Sequence, residues 1–343
     1  MNMPAFLMLF LSLLCAMPAS TQTSSKPKVL ILTTGGTIAS RTDAPLIEGP
    51  ELVQAVPQLL DYAGIEVEEF VRIGSSKMTP DIWLRLVKRI DAILEERPEL
   101  ACIVITHGTD TMEETAYFLQ LTHRRNTPIV LVGSMRSSNE ISPDGPANLL
   151  NAVRVGIHPE SIGKGVLVVL NENISSGREL RKTDNRRVDA FAPTEYGYLG
   201  FADPDTVIFY REPVKPHTTE SPFDLSEVEE LPAVDIVTDF AGFDAGIFDF
   251  YTQRPTAGLI VRSFAGGRTS NGIIEGIRNL PDNAKPVVIA SGIPGGRITG
   301  GRPHHPALVY APDLPPNKAR ILLMLALTQT RDAGKIQGYF TTY

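Results

Sequence analysis

The sequence predicts an α/β protein with two parts. A larger N-terminal domain has a parallel sheet flanked by helices, and a smaller C-terminal α/β domain follows it. Three observations lead there. Apolar runs of strand length alternate with helical repeats through the first two hundred residues. The periodicity then lapses in REPVKPHTTESPFDLSE (211–227), and it returns afterwards with further short apolar runs. The chain has 343 residues, 43% apolar and 21% charged, which is long enough for two hydrophobic cores.

The elements follow in chain order. Residues 5–17 form an apolar run interrupted only by Ser12 and followed by small residues, which reads as a signal peptide over 1–22. The run is too short to span a bilayer comfortably, and no Lys or Arg precedes it. KVLILTT (28–34) reads as a buried strand, and ELVQAVPQLL (51–60) as a helix starting after Pro50. DIWLRLVKRIDAILEER (81–97) places Ile82, Leu86, Ile90 and Ile93 on one helical face, with Pro80 at its start. ACIVITH (101–107) is a second strand, and the following helix opens on Thr111 and Glu114, the spacing of a capping box. PIVLVGS (128–134) and GVLVVLN (165–171) are strands, separated by the helix NLLNAVRVGI (148–157). This alternation places the first domain at 27–211 and a Pro- and Thr-rich linker at 212–232. The second domain, 233–343, has strands AVDIVTD, AGLIVRS and KPVVIASG. It also has the helix KARILLMLALTQT (318–330), apolar on most of its circumference and so expected to be buried.

Charge and cysteine content exclude several classes. A net charge of −7 argues against a nucleic-acid partner, which normally meets a basic face. No segment beyond the leader is long and apolar enough for a membrane span, so the mature form is expected to have no membrane partner. Loss of the leader would remove Cys15 and leave Cys102 alone, without a disulfide partner; in LACIVI it reads as a small buried hydrophobe. The adjacent His304 and His305 lack Cys or carboxylate partners, so no metal is inferred.

In open parallel sheets, ligands bind outside the carboxyl ends of the strands, and three polar clusters fall there. TTGGT (33–37) follows the first strand, THGTDT (106–111) follows the second, and a basic stretch at 178–187 contains Lys182. The glycines have neither G-x-G-x-x-G spacing nor a following Gly-Lys-Ser/Thr, so nucleotide binding is disfavoured. Taken alone they serve equally as a tight strand exit or as clearance for a ligand beside Thr37. A threonine hydroxyl needs activation to act as a nucleophile. A lysine whose ammonium is crowded by cations can supply the base, and Lys182 has Arg178, Arg181, Arg186 and Arg187 as sequence neighbours. On charge alone Lys182 reads rather as part of a solvated basic loop; Asp110 caps the helix, orients the lysine or binds a substrate ammonium, and His107 reads as structural.

ILTTGGTIA (31–39) and VITHGTDTMEETAYFL (104–119) together resemble the two active-site signatures of the bacterial L-asparaginase/glutaminase-asparaginase family. The similarity continues through VGSMRSS (132–138), SPDGPANLLNAV (142–153), HTTESPFDLS (217–226) and 318–330 in the same order. The leader favours the secreted, type II branch, hence a periplasmic or secreted enzyme. The resemblance implies hydrolysis of the side-chain amide of a small amino acid, asparagine or glutamine, without metal or organic cofactor, by a homotetramer built as a dimer of dimers. It also implies roles. Thr37 is the nucleophile that forms an acyl-enzyme, and Thr109, Asp110 and Lys182 form the second catalytic group. Ser75 holds the substrate α-carboxylate, Asp110 its α-ammonium, and the Thr109 N–H helps stabilise the oxyanion. Beside the glycines, HGTDT and Lys182 favour the ligand-clearance reading of TTGGT.

Four positions depart from the family pattern. The lid SRTDAPLIEGP (40–50) has no tyrosine, and the nearest, Tyr62, lies beyond a predicted helix. Ser76 stands where Gln or Glu is usual in the substrate-binding pair. AGGRTS (265–270) and GGRPHHP (300–306) bring no acid towards a neighbouring site. Cys102 replaces a glycine. These losses favour altered substrate recognition, with Arg268, Arg297 and Arg302 suited to an anionic asparagine derivative. A non-catalytic amino-acid-binding protein is the alternative from another class.

Overall fold

A computed structural model of the chain describes residues 25–36, 49–193, 195–281, 283–299 and 305–343. The expected leader, 1–22, lies outside them. The first domain contains β1 (Lys28–Gly35), α1 (Gly49–Gln54), α2 (Leu59–Tyr62), β2 (Gly64–Ile73), α3 (Pro80–Glu96), β3 (Leu100–Thr106), α4 (Met112–Thr122), β4 (Ile129–Val132), α5 (Gly145–Gly156) and β5 (Val166–Leu170). Five short strands follow: β6 (Asn173–Ser176), β7 (Leu180–Lys182), β8 (Phe191–Pro193), β9 (Gly200–Ala202) and β10 (Val207–Phe209). The second domain runs β11 (Val234–Thr238), α6 (Ala245–Gln253), β12 (Gly258–Ser263), α7 (Asn271–Arg278), β13 (Val287–Ser291), β14 (Leu308–Ala311), α8 (Pro316–Leu327) and α9 (Ala333–Thr342).

Among the described residues, the large sheet has the order β10-β9-β6-β5-β4-β3-β1-β2. The run from β5 to β2 is parallel, and β6, β9 and β10 extend it with antiparallel pairs. Strand alternation divides its apolar side chains between two faces. Leu30, Leu32, Ile103 and Ile105 meet α3 and α4, while Val29, Ile31, Cys102 and Val104 meet α1, α2 and α5. Burial on both faces is why these strands read as unbroken apolar runs. Cys102 is fully buried, and burial pushes its thiol up to about 12. Its sulfur fills the space that Gly156 of α5 leaves open, where a Cβ would come within 2.5 Å of it.

The second domain carries a parallel four-stranded sheet, β11-β12-β13-β14. Helix α8 lies between the two sheets. Ile321, Leu322, Leu323 and Leu325 are fully buried, as its all-round apolar character predicts. One core cluster therefore runs from α3 and α4 through α8 to Ile260, Val288 and Val309 of the second sheet.

Three details differ from the sequence expectations. The helix expected over 51–60 is two short helices, because Pro57 has no N–H to continue the ladder. The second strand of the parallel set is β2, an edge strand in which Ile65 and Val67 alternate with glutamates in place of an unbroken apolar run. The segment expected as a linker is fixed in place: Ser221 Oγ donates to the Leu121 carbonyl, and Phe223 is buried against Tyr339 and Tyr343.

Candidate active site

Strands β2 and β3 flank β1 on opposite sides, so the chain leaves β1 in one direction and returns on the other. The carboxyl ends of β1 and β3 form the switch point at which doubly wound sheets open a crevice. Thr33 pairs with Thr106, and the Thr34 hydroxyl donates to the Thr106 carbonyl at 2.8 Å. Gly35 and Gly36 then turn the chain with φ of +97° and +87°, and the Gly36 N–H donates to Ile73 O. A Cβ on Gly35 would lie 2.5 Å from the Ile73 carbonyl, and one on Gly36 would lie 2.2 Å from the Gly108 nitrogen. The glycines thus give clearance to neighbouring backbone, a reason that the sequence reading did not supply. Thr37, the next residue, and the lid up to residue 48 lie outside the described residues.

The second loop is held from below. His107 is fully buried: its Nδ1 lies 2.7 Å from the Gly108 carbonyl and its Nε2 lies 2.9 Å from Thr115 Oγ1. Trp83 Nε1 donates to the same Thr115 oxygen at 2.8 Å. Burial lowers the imidazole to about 4, so the ring is neutral. The carbonyl must receive a proton, which assigns N–H to Nδ1 and leaves Nε2 to accept from Thr115. The chain Trp83–Thr115–His107–Gly108 is then fully satisfied and fixes the turn that presents Thr109 and Asp110.

Ser75 closes the crevice from β2. It is buried; its Oγ accepts from the Asp110 N–H at 3.1 Å, and its carbonyl accepts from the Thr111 hydroxyl at 2.9 Å. Thr111 therefore does not form the expected capping box: its hydroxyl is used across the chain, and no side-chain cap is made. Glu114 is instead enclosed near Arg320 and Asn317 of α8, where burial raises its carboxyl above the usual range. Gly108 must stay small, since a Cβ there would lie 2.6 Å from Ser75 Oγ. Ser76 is exposed beside it.

The third cluster ends in the β7–β8 ribbon. Lys182 Nζ donates to Thr109 Oγ1 at 2.9 Å and to Asp110 Oδ1 at 3.2 Å. The lysine side chain is 20% exposed and the Asp110 side chain 63%, so the carboxylate retains a face open to solvent. Three of the arginines that neighbour Lys182 in sequence, Arg178, Arg181 and Arg187, have their guanidinium groups engaged elsewhere. Arg178 turns to Asp313 and the Tyr343 carbonyl, Arg181 reaches the Pro294 carbonyl, and the Arg186 and Arg187 amides bind Asp184. The charge beside Lys182 is the carboxylate of Asp110.

Of the sequence-derived residues, Ser75, Thr109, Asp110 and Lys182 are brought together by direct hydrogen bonds. Ser76 adjoins them, and Thr37 follows Gly36. Tyr62 is not near: it precedes Gly64, which pairs with Lys28 at the amino end of β1. The eight residues of β1 separate it from the crevice by roughly 25 Å. Arg268 and Arg297 are exposed on the second domain, and neither lines the interdomain cleft of about 620 Å³ that Lys182 borders. Arg262, Glu113 and Asn317 line that cleft and were not foreseen. His305 is occupied by Leu280 O and the Ala307 N–H. Two supporting residues were also missed. Asp144 accepts from the Met135 and Arg136 amides, and Asn148 donates to Gly133 O and accepts from the Asn171 N–H. Both belong to SPDGPANLL, whose polar residues show no spacing that marks a role in the sequence alone.

Known proteins resemble the chain along most of its length. Residues 28–215 match the family model described as Asparaginase, N-terminal, and residues 233–340 the Glutaminase/Asparaginase C-terminal domain. L-asparaginase 2 of Bacillus subtilis is 38% identical, covering 95% of this chain and 89% of its own. The glutaminase-asparaginase of Pseudomonas fluorescens is 34% identical, covering 99% and 97%. A crystal structure of the probable cytoplasmic L-asparaginase from Campylobacter jejuni superposes with a TM-score of 0.88 at 41% identity, covering 93% of this chain and all of the other. That last likeness overturns the expected periplasmic or secreted location. Among the described residues, no helix is long and apolar enough to cross a membrane.

Proposed function

From the premise that the chain belongs to the asparaginase family, we propose how its residues divide the work of hydrolysing a side-chain amide. The enzyme is an L-asparaginase-type amidohydrolase acting on asparagine, and on glutamine, to release ammonia. Thr37 attacks the amide carbon and forms an acyl-enzyme that water then opens. Thr109, Lys182 and Asp110 move the proton. The observation that carries this assignment is the pair of hydrogen bonds from one lysine nitrogen to the Thr109 hydroxyl and the Asp110 carboxylate. In the relay, Lys182 Nζ is the atom that exchanges a proton with the Thr109 hydroxyl, and the Asp110 carboxylate beside it balances the charge. The backbone N–H of Thr109 turns to the developing oxyanion.

Ser75 receives the substrate carboxylate, and the open face of Asp110 its ammonium. The short Ser76 replaces a longer acceptor, so free asparagine is held by one fewer charge-assisted hydrogen bond, worth roughly 1.5–3 kcal/mol. The active assembly is a homotetramer, a dimer of close dimers. Ammonia release from asparagine and glutamine tests the reading. Thr37→Ala should abolish turnover while leaving the fold intact. An unchanged rate would sink the nucleophile assignment, and binding without ammonia release would favour the non-catalytic amino-acid-binding protein.

A further inference from the structure

Lys318 is completely buried in the first turn of α8, a helix of the second domain, yet its Nζ reaches into the first. It donates to three carbonyls, Gly177 O at 3.0 Å, Arg178 O at 2.8 Å and Leu180 O at 2.6 Å. An ammonium has three protons, so the cage uses its full donor capacity. Gly177 and Arg178 belong to the turn that enters β7 and Leu180 is its first residue, with Lys182 two residues further on the same face of that strand. Among the described residues the β7–β8 ribbon has three residue pairs and no third strand. A ribbon of that size does not hold its own geometry in water.

The surroundings fix the entry turn from both sides. Gly177 lies so close to α4 that a Cβ would come within 2.8 Å of the Ala116 carbonyl. Arg178 is clamped by Asp313 of the second domain at 2.9 Å. Around Lys318 stand Glu113 and the Tyr117 ring of α4, and Arg178, Glu179 and Arg181 of the turn and ribbon. Burial pulls its ammonium down to about 7, with Glu113 opposing and Arg181 adding to the fall. An apolar residue would avoid that electrostatic cost but leave three buried carbonyls without donors.

We propose that Lys318 is a positioning residue for the reaction: from the second domain it sets the height of the β7–β8 ribbon and so the reach of Lys182 Nζ to Thr109 Oγ1. This rests on the reading of Lys182 as part of the proton relay. Ser75 and the Asp110 backbone are tied to each other without the cage, so a disturbed cage acts first on the Lys182–Thr109 contact and hence on turnover, and only secondarily on binding through Asp110.

The test is the kcat and KM for ammonia release in the full-length chain, with folding checked by far-UV circular dichroism. Lys318→Gln keeps two N–H donors and loses the charge. It should lower kcat about 10- to 100-fold, the cost of a displacement on the order of 1 Å, with KM within about threefold. Lys318→Arg should fall between Gln and the native lysine, because a planar guanidinium cannot meet three carbonyls as a tetrahedral ammonium does; it decides the matter if Gln does not fold. Native kcat in either folded variant, or kcat and KM moving together, overturns the proposal. Lys182→Met is the control. If it leaves kcat unchanged, the relay reading itself is wrong. If it abolishes turnover while Lys318→Gln does not alter kcat, only the positioning role is lost.

Discussion

At the scale of single residues, burial decides what each polar group can do. His107 and His123 are both buried, and burial lowers each from 6.5 to about 4. The sign of the pH effect follows. Above pH 6.5 neither state binds the proton. Between 6.5 and about 4 the unfolded chain binds it and the folded chain does not, so stability falls as pH drops through that window. Each histidine contributes about 2 kcal/mol of that loss at pH 5. His123 lies away from the site, with Nε2 against the Thr127 carbonyl and Nδ1 without a partner among the described residues. His123→Gln keeps a donor for Thr127. It should reduce the difference between urea midpoints at pH 7 and pH 5 by about half of what the two histidines cause, with ammonia release at pH 7 unaltered. An unchanged difference would mean that His123 does not titrate as its burial requires. The residues of the site were legible because TTGGT and HGTDT are specific. The reason for the glycines was not, because it lies in Ile73 and Gly108, which are distant in sequence.

At the scale of elements, the parallel strands were readable because two buried faces make an unbroken apolar run, and β6 to β10 were not. Those strands are only three or four residues long, too short for a period to establish itself. The β5–β6 turn is an example. Leu170 pairs with Asn173, and the two residues between them, Asn171 and Glu172, have φ of +49° and +65°. That two-residue turn matches the twist of its strands but normally wants Asn-Gly. Glu172 is exposed, and what it gives the turn is its carbonyl, which accepts from the Ala202 N–H. A left-handed conformation costs a non-glycine residue about 1–2 kcal/mol, partly offset by the entropy that a glycine would lose on folding. Glu172→Gly should therefore stabilise the protein by about 0.5 kcal/mol in urea unfolding, and a loss of stability would show that the side chain does more than tolerate the turn. The absent capping box teaches the same lesson from the other side. Thr111 has the right spacing, but Ser75 on another element offers its hydroxyl a better partner.

At the scale of the molecule, the lapse in periodicity falls between β10, the last strand of one sheet, and β11, the first of the next, but it says nothing about how tightly the two are joined. The joining depends on side chains that periodicity cannot pair. Phe223 of the connecting segment is buried against α9, and α8 presents apolar residues to α4 on one side and to β11, β12 and β13 on the other. Because the core cluster is continuous through α8, neither sheet can lose its packing without exposing the other. Unfolding should therefore be a single transition despite the two sheets. Trp83, the one tryptophan of the sequence, reports on the first domain from beneath α4, stacked on Phe118. Hydrogen exchange of the β12 and β13 amides reports on the second. The two probes should give the same midpoint. Leu323→Ala sharpens the test: Leu323 is fully buried in α8, with its Cδ2 beside Gly258 at the start of β12. Its truncation should cost about 2–5 kcal/mol and lower both midpoints together. If the β12 and β13 amides exchange at a lower urea concentration than Trp83 responds to, the second domain is a separate folding unit and α8 belongs to it alone.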